Sequence, residues 1–450
     1  MVSLKMVPVC VNKLTGISPG FHLSGVFKNR YSRFILVPCR IYDAGSRRIG
    51  RHDQRISDES GGASGAGALA LLHSEASFPQ EAVQKGLAML INAAMPMQAA
   101  RAELAAHYDL SWSEGLAKET AHIYEKLRPV MPEIEWPAHA PYIRAINELK
   151  KKKNAVILAH NYMTPEIFFG VSDIAGDSLQ LAIAATKVDA PVIVQCGVHF
   201  MAETSKILNP QKTILIPDSR AGCSLASSIR ADDIEAMRKL HPGAPVVSYV
   251  NTTAETKAAS DYCCTSANAV DIVNAMESDV VIMTPDGYLA QNVAAKTNKK
   301  IVYWSGSCIV HERFTAPEIR AFREANPGVT VIAHPECPPE VVREADFAGS
   351  TSGMIDWVQE HKPEKVVMIT ECSMSDNVAA SNPQTQFIRP CSLCPHMKRI
   401  TLEKILWCLH TGQEEVTVPE EIIPRARLPI ERMIAISNEI AARRAAAALA

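Results

Sequence analysis

Three things are scarce in this chain. The first is net charge: 46 Lys and Arg against 48 Asp and Glu leave the 450 residues at −2. A nucleic-acid or acidic-membrane surface usually carries a basic excess, so neither is expected as a partner, and a small-molecule ligand fits better. The second is apolar run length. No stretch reaches the roughly 18 residues that a membrane-spanning helix needs. The third is the tight Cys-x-x-Cys pair of zinc sites. The chain has 12 cysteines, yet only Cys391 and Cys394 have that spacing. A chain this long can bury a core without disulfides. Its cysteines are therefore expected in a reducing, cytoplasmic setting, serving metal or catalysis.

What is present falls into blocks. Residues 1–60 concentrate Lys and Arg with few acids and run into a Gly/Ser/Ala-rich stretch at 61–67. Residues 1–80 read as a disordered or non-native extension, with a targeting peptide as the alternative. Helical periodicity follows over 79–128, with Leu87, Leu90, Ile91 and Ala94 on one face and Leu104, Tyr108 and Trp112 on another, giving a helical lead at 81–140. A Pro-rich segment at 129–141 precedes a helix over 142–153. Its closing lysines, Lys150 to Lys153, read as a solvated end favoured by the helix dipole.

From residue 155 short β-rich apolar runs alternate with helical stretches. The runs are 155–159, 192–195, 213–216, 245–250, 280–283, 301–304, 329–333 and 366–369. Continuous apolar runs bounded by turns predict strands buried on both faces, hence an α/β protein with parallel sheets. Within it lies a threefold repeat. Three strands end in His160-Asn161-Tyr162, Tyr249-Val250-Asn251 and His334-Pro335-Glu336. About one helical crossover later come Ser178, Ser266 and Thr351. Each unit then delivers a loop cysteine: Cys223, Cys308 and Cys394, spaced 85 and 86 residues apart. The units are placed at 141–225, 226–310 and 311–396, followed by a closing helical segment at 397–440 and an Ala-rich tail at 441–450. Parallel α/β units present their sites at the carboxyl ends of the strands, so three αβα units should point all these marks into one cavity.

The residue types suggest chemistry. One thiol from each of three units suits a metal cluster seated between them. A [4Fe–4S] cluster normally takes four cysteines, so three would leave one iron open as a Lewis acid. His160, Tyr162, Tyr249, His334 and Glu336 are acid–base candidates. Ser178, Ser266 and Thr351 are expected to cap helices and to bind carboxylate or phosphate there. His311 and Glu312 could orient groups near Cys308. Cys196, Cys263, Cys264, Cys337, Cys372 and Cys408 lack threefold counterparts and read as buried or supporting, while Cys391 could pair with Cys394. A hydro-lyase of the aconitase kind and a cluster-based redox sensor remain open as alternatives.

The stretches Ala159-His-Asn-Tyr162, Gly176-Asp-Ser-Leu179, Met201-Ala-Glu-Thr204, Asp218-Ser-Arg-Ala-Gly-Cys223, Tyr249-Val-Asn-Thr-Thr-Ala254, Cys264-Thr-Ser-Ala-Asn268, His334-Pro-Glu-Cys337, Gly349-Ser-Thr351 and Cys394-Pro-His-Met-Lys398 resemble the motif series of the quinolinate synthase family. The match runs from about residue 140 to about 435. The resemblance implies three αβα domains around one [4Fe–4S] cluster per chain, held by Cys223, Cys308 and Cys394. It implies condensation of iminosuccinate (iminoaspartate) with dihydroxyacetone phosphate to quinolinate, phosphate and water in NAD biosynthesis, coupled to an L-aspartate-oxidising enzyme. The implied substrate-binding positions are His160, Ser178, Tyr249, Asn251, Ser266, His334, Glu336 and Thr351. Tyr162, Glu336, His334 and Tyr249 are the expected catalytic residues.

Overall fold

The computed structural model of the chain describes residues 97–390 and 392–448. The expectations for residues 1–80, for periodicity over 79–96 and for Cys391 lie outside the described residues.

The apolar runs become parallel strands. β1 (Ala155–His160), β2 (Ile174–Gly176), β3 (Val192–Cys196) and β4 (Thr213–Leu215) form a sheet in the order β2-β1-β3-β4. β5 (Val246–Tyr249), β6 (Tyr262–Cys264), β7 (Val280–Thr284) and β8 (Lys300–Tyr303) repeat it as β6-β5-β7-β8. β9 (Thr330–Ala333), β10 (Phe347–Ala348), β11 (Lys365–Ile369) and β12 (Gln386–Ile388) repeat it again as β10-β9-β11-β12. All pairings are parallel. The α/β expectation holds. Central strands such as β5 are buried along their whole length, as strands covered by helices on both faces must be. The sequence pattern misses β2, β6, β10 and β12. Each has only two or three residues at a sheet edge, too short to leave an apolar run.

An unforeseen repeat anchors the far ends of the sheets. Asp173, Asp261 and Asp346 each precede an edge strand. Each accepts a backbone N–H from the first three residues of a neighbouring strand, from Ile157, Val246 and Val331, all at 2.8 Å. Each also meets a cation: Lys150 at 2.8 Å, Arg238 at 2.9 Å and Arg323 at 2.9 Å. Lys150 is therefore a correction. It is buried, donating to Asp173 and to Val171 O at 2.7 Å, whereas Lys151 to Lys153 are exposed.

Helices Met97–His107 and Glu114–Leu127 lead into Trp136–Lys152. Leu104 is buried, but Trp112 lies between the first two helices and is 41% exposed, so it does not share that apolar face. The Glu114 helix is capped by Ser113, whose Oγ accepts from Leu116 N. After the third sheet, Leu402–Thr411 packs on Trp136–Lys152, and Ile423–Ala448 packs on helix Ala254–Ala258 and β6. No helix among the described residues is long and apolar enough to cross a membrane.

Two asparagines stitch the units together. Asn377, from helix Cys372–Ser381 after β11, donates to Asn161 O and Met163 O at 3.0 and 2.8 Å. Asn292, from helix Gly287–Ala294 after β7, donates to Pro335 O and Cys337 O, both at 2.9 Å. In both cases one unit's helix holds the loop that follows another unit's first strand. Between the first and second units, buried Lys257 lies 5.5 Å over the Phe200 ring.

Candidate active site

The three strand ends converge on one cavity. His160 and Tyr162 arrive from β1, Tyr249 and Asn251 from β5, and His334 and Glu336 from β9. Ser178, Ser266 and Thr351 line the same cavity, as do Cys223, Cys308 and Cys394. Of the repeat's marks, Asn161, Val250 and Pro335 do not line this space, and the others do.

The hydroxyl residues are not the helix caps expected of them. Asp177 caps helix Ser178–Lys187 in a capping box with Gln180, and Ser350 caps Thr351–His361 by accepting from Gly353 N. Ser266 lies two positions before Asn268, the N-cap of Ala269–Asn274. A neighbouring residue holds each N-cap position, with a side-chain cap at Asp177 and Ser350 only, and the three hydroxyls line the cavity. Thr351 Oγ1 also accepts from Asn161 Nδ2 at 2.9 Å, joining the third unit to the first.

His160 and His334 share one geometry. Each Nδ1 accepts the backbone N–H two residues on, from Tyr162 at 3.1 Å and from Glu336 at 3.3 Å. Burial lowers His160 to about 4 and His334 to about 3, partly offset by the charge of Glu336. Both are neutral near pH 7. An imidazole that accepts at Nδ1 carries its proton on Nε2, so both rings present an N–H donor. That of His334 lies 3.2 Å from Ser266 Oγ. Asn251 Oδ1 is buried and has no protein partner.

Glu336 is the fixed negative charge. Tyr249 donates to Oε1 at 2.5 Å, and His311 Nδ1 sits 2.9 Å from Oε2. Burial alone would push this carboxyl up. The His311 and His334 imidazoles, with the hydrogen bonds from His311 and Tyr249, outweigh burial and hold it well below the usual carboxylate range. Burial, reinforced by Glu336, raises Tyr162 and Tyr249 well above an ordinary phenol, so both stay protonated.

His311 is more central than its sequence position suggests. Its Nε2 lies 3.0 Å from Thr370 Oγ1 and 3.3 Å from Tyr162 OH, and Tyr162 OH lies 2.6 Å from Thr370. Its ring stacks on His334 with centroids 4.6 Å apart. One imidazole thus joins Glu336 to Tyr162. Glu312 bonds instead to Ser307 Oγ on the exposed side. Thr370, Glu371 and the contacts of Lys398 escape the sequence reading. Lys398 Nζ donates to Tyr162 O at 2.7 Å and meets Glu371 at 3.0 Å, while Glu371 accepts from Cys394 N at 3.3 Å. One signal for Glu371 was available: it and Asp286 are acidic residues heading equivalent helices, 85 residues apart.

The three cysteines share a local fold. Each lies in a loop just before a 3₁₀ turn (Ala226–Ser228, His311–Arg313 and Met397–Arg399). Each sulfur receives two backbone N–H groups, from the second and third residues on: Leu225 and Ala226 for Cys223, Val310 and His311 for Cys308, His396 and Met397 for Cys394. Burial raises Cys223 to about 12 and raises the other two, so the free thiols hold their protons. Thiols turned on N–H donors yet protonated when free are suited to a metal that displaces the protons. No disulfide joins the described cysteines. Cys196, Cys263, Cys264, Cys337 and Cys408 are buried, and Cys372 is partly so.

The family model described as "Quinolinate synthetase A protein" matches residues 144–435. A quinolinate synthase of Sinorhizobium fredii is 59% identical over 326 residues, covering 72% of this chain and 91% of that protein. Quinolinate synthase 2 of Mesorhizobium japonicum is 60% identical over 316 residues, covering 70% and 98%. A quinolinate synthase of Xylella fastidiosa is 60% identical over 294 residues, covering 65% and 87%.

Proposed function

This chain belongs to the quinolinate synthase family of enzymes, and on that premise we propose that it condenses iminosuccinate with dihydroxyacetone phosphate to quinolinate, phosphate and water in NAD biosynthesis. The iminosuccinate would come from a cytoplasmic enzyme that oxidises L-aspartate. The observation that carries the reading is the donor set: three loop thiols, each turned on two backbone N–H groups, lining a cavity they share with His160, His334, Ser178, Ser266 and Thr351. Cys223, Cys308 and Cys394 would hold one [4Fe–4S] cluster per chain. When bound, such a cluster supplies one open iron as a Lewis acid toward a substrate carboxylate or hydroxyl, assisting dehydration.

The protein's own groups divide the remaining work. Phosphate elimination, imine condensation and dehydration all need protons moved at defined atoms. Tyr162 is a protonated phenol whose OH contacts Thr370 and His311. A proton it gives to a leaving oxygen can be replaced through His311, whose other nitrogen faces Glu336. Tyr249 shares its proton with Glu336 directly and can serve a second position. His160 and His334, neutral and with Nε2–H available, bind substrate carboxylate or phosphate. They do so with Ser178, Ser266 and Thr351. Asn251 Oδ1 is an acceptor suited to a substrate hydroxyl or imine N–H. The closed network, in which His311 serves both Glu336 and Tyr162, favours Tyr162 and Glu336 as the acid–base pair.

The test is anaerobic purification, iron counting and an assay for quinolinate. About four irons per chain are expected, following the cluster type. Ser in place of Cys223, Cys308 or Cys394 should remove both iron and activity, whereas Ser at Cys196 or Cys408 should remove neither. Wild-type protein that retains iron but forms no quinolinate from the two substrates would overturn the assignment.

A further inference from the structure

The three loop cysteines and a single metal ion make different demands on distance. A tetrahedral zinc-class ion, with bonds of about 2.0–2.3 Å, needs its ligand atoms roughly 3.3–3.8 Å apart. Cys308 Sγ, a ring nitrogen of His311 and a carboxylate oxygen of Glu336 lie within 4.8 Å of one another. Among the described residues no other trio of His, Cys, Asp or Glu meets that spacing, the three cysteines included. The three thiols do not come within that 4.8 Å limit, whereas this trio can close on a single ion with a shift of about 1 Å.

We propose that the chain without its cluster takes up one divalent ion of the zinc class at Cys308, His311 and Glu336. The ion would sit where His311 Nδ1 and Glu336 Oε2 now share a proton across 2.9 Å. His311 keeps its proton by moving it to Nε2, toward Thr370. Cys308 gives up its thiol proton to solvent. The balance is one M²⁺ in and one H⁺ out. The thiolate and the Glu336 carboxylate then cancel the two charges of the ion, leaving a neutral site, which a buried cavity favours. Thr370 hydrogen-bonds the far nitrogen of His311 and Tyr249 hydrogen-bonds the other carboxylate oxygen, an arrangement that orients both ligands.

The consequence is an exclusive choice. Cluster and single ion both require Cys308, and the ion also occupies His311 and Glu336. A chain that has lost its cluster and met zinc is blocked at its cysteine and at Glu336 and His311 together. The inference rests on the trio's geometry and stands apart from the quinolinate assay, so either can fail without the other.

The test uses the full chain, stripped of metal with a chelator and titrated with Co²⁺ as the spectroscopic probe. One Co²⁺ per chain is expected, with a near-ultraviolet thiolate charge-transfer band and the visible bands of a four-coordinate site. Cys308→Ser and His311→Ala should abolish the charge-transfer band. Cys223→Ser and Cys394→Ser should keep it. Glu336→Gln, equal in volume, should weaken Co²⁺ by about tenfold or more. Melting curves confirm that each variant scored is folded. Protein preloaded with one equivalent of Zn²⁺ should stay colourless on incubation with iron and sulfide until a chelator is added. A band that depends on Cys223 or Cys394, or Co²⁺ bound without any thiolate band, would overturn the proposal.

Discussion

Glu336→Gln is the most informative single change. The side chain keeps its shape, and its carbonyl can still accept from Tyr249. Its new NH₂ group, however, faces His311 Nδ1, formerly 2.9 Å from a carboxylate oxygen. Nδ1 must then accept, so the imidazole proton moves to Nε2 and points at Thr370 and Tyr162. Tyr162 loses the acceptor through which its proton is exchanged. The change removes a charge-assisted contact of about 1.5–3 kcal/mol and breaks the relay. Losing one acid–base group lowers turnover about 10²-fold or more, which is roughly 3 kcal/mol of barrier at 1.36 kcal/mol per decade. The pockets around His160, Ser178 and Thr351 are untouched, so KM should stay near wild type. The assay is anaerobic steady-state quinolinate formation, with iron per chain and melting temperature measured on the same sample. Wild-type turnover at full iron content would refute the relay. A rate loss that merely tracks lost iron would refute the acid–base role.

Three further outcomes follow from the same geometry. His160 sits at about 4 in the folded chain, below the ordinary 6.5, so the unfolded chain takes up protons first as pH falls. Its contribution is full above pH 6.5 and is lost between 6.5 and about 4, amounting to about 3 kcal/mol. Melting temperature should fall over that window, and His160→Gln should flatten the fall. Ser350→Ala removes a cap and should cost about 1 kcal/mol of stability with KM unchanged. Ser178→Ala should do the reverse, raising KM with little change in melting, and equal melting losses in the two would contradict the distinction. Asp346→Ala leaves the buried Val331 N–H unpaired. Denaturant unfolding should register about 1–3 kcal/mol, while turnover per folded molecule is preserved.

How much of this could be read from the sequence depended on repetition. The marks on β1, β5 and β9 and the three cysteines recur at matching offsets, and all of them face one cavity. The hydroxyls lie in the expected loops, and only their capping task fails. A Ser or Thr near a helix start is a natural cap, and nothing in the pattern reveals that Asp177 and Ser350 already fill that position. Thr370 and Tyr162 meet across 208 residues without a threefold echo, so no period could find them. The Asp173, Asp261 and Asp346 anchors do repeat, but they sit before edge strands too short to register as strands. Lys150 looked like its neighbours because the turn of the helix that buries it is invisible in a run of lysines.

The long-range stitches set a timetable for the chain as it is made. The backbone of the β1 loop is held by Asn377 and Lys398, and the hydroxyl of Tyr162 by Thr370. A nascent chain can close its first sheet soon after residue 215 leaves the ribosome, yet that sheet's contribution to the cavity stays unfastened until nearly 200 further residues have emerged. Cys394 arrives in the same late stretch. The cavity therefore stays open on the side of the first unit until the third unit has been made.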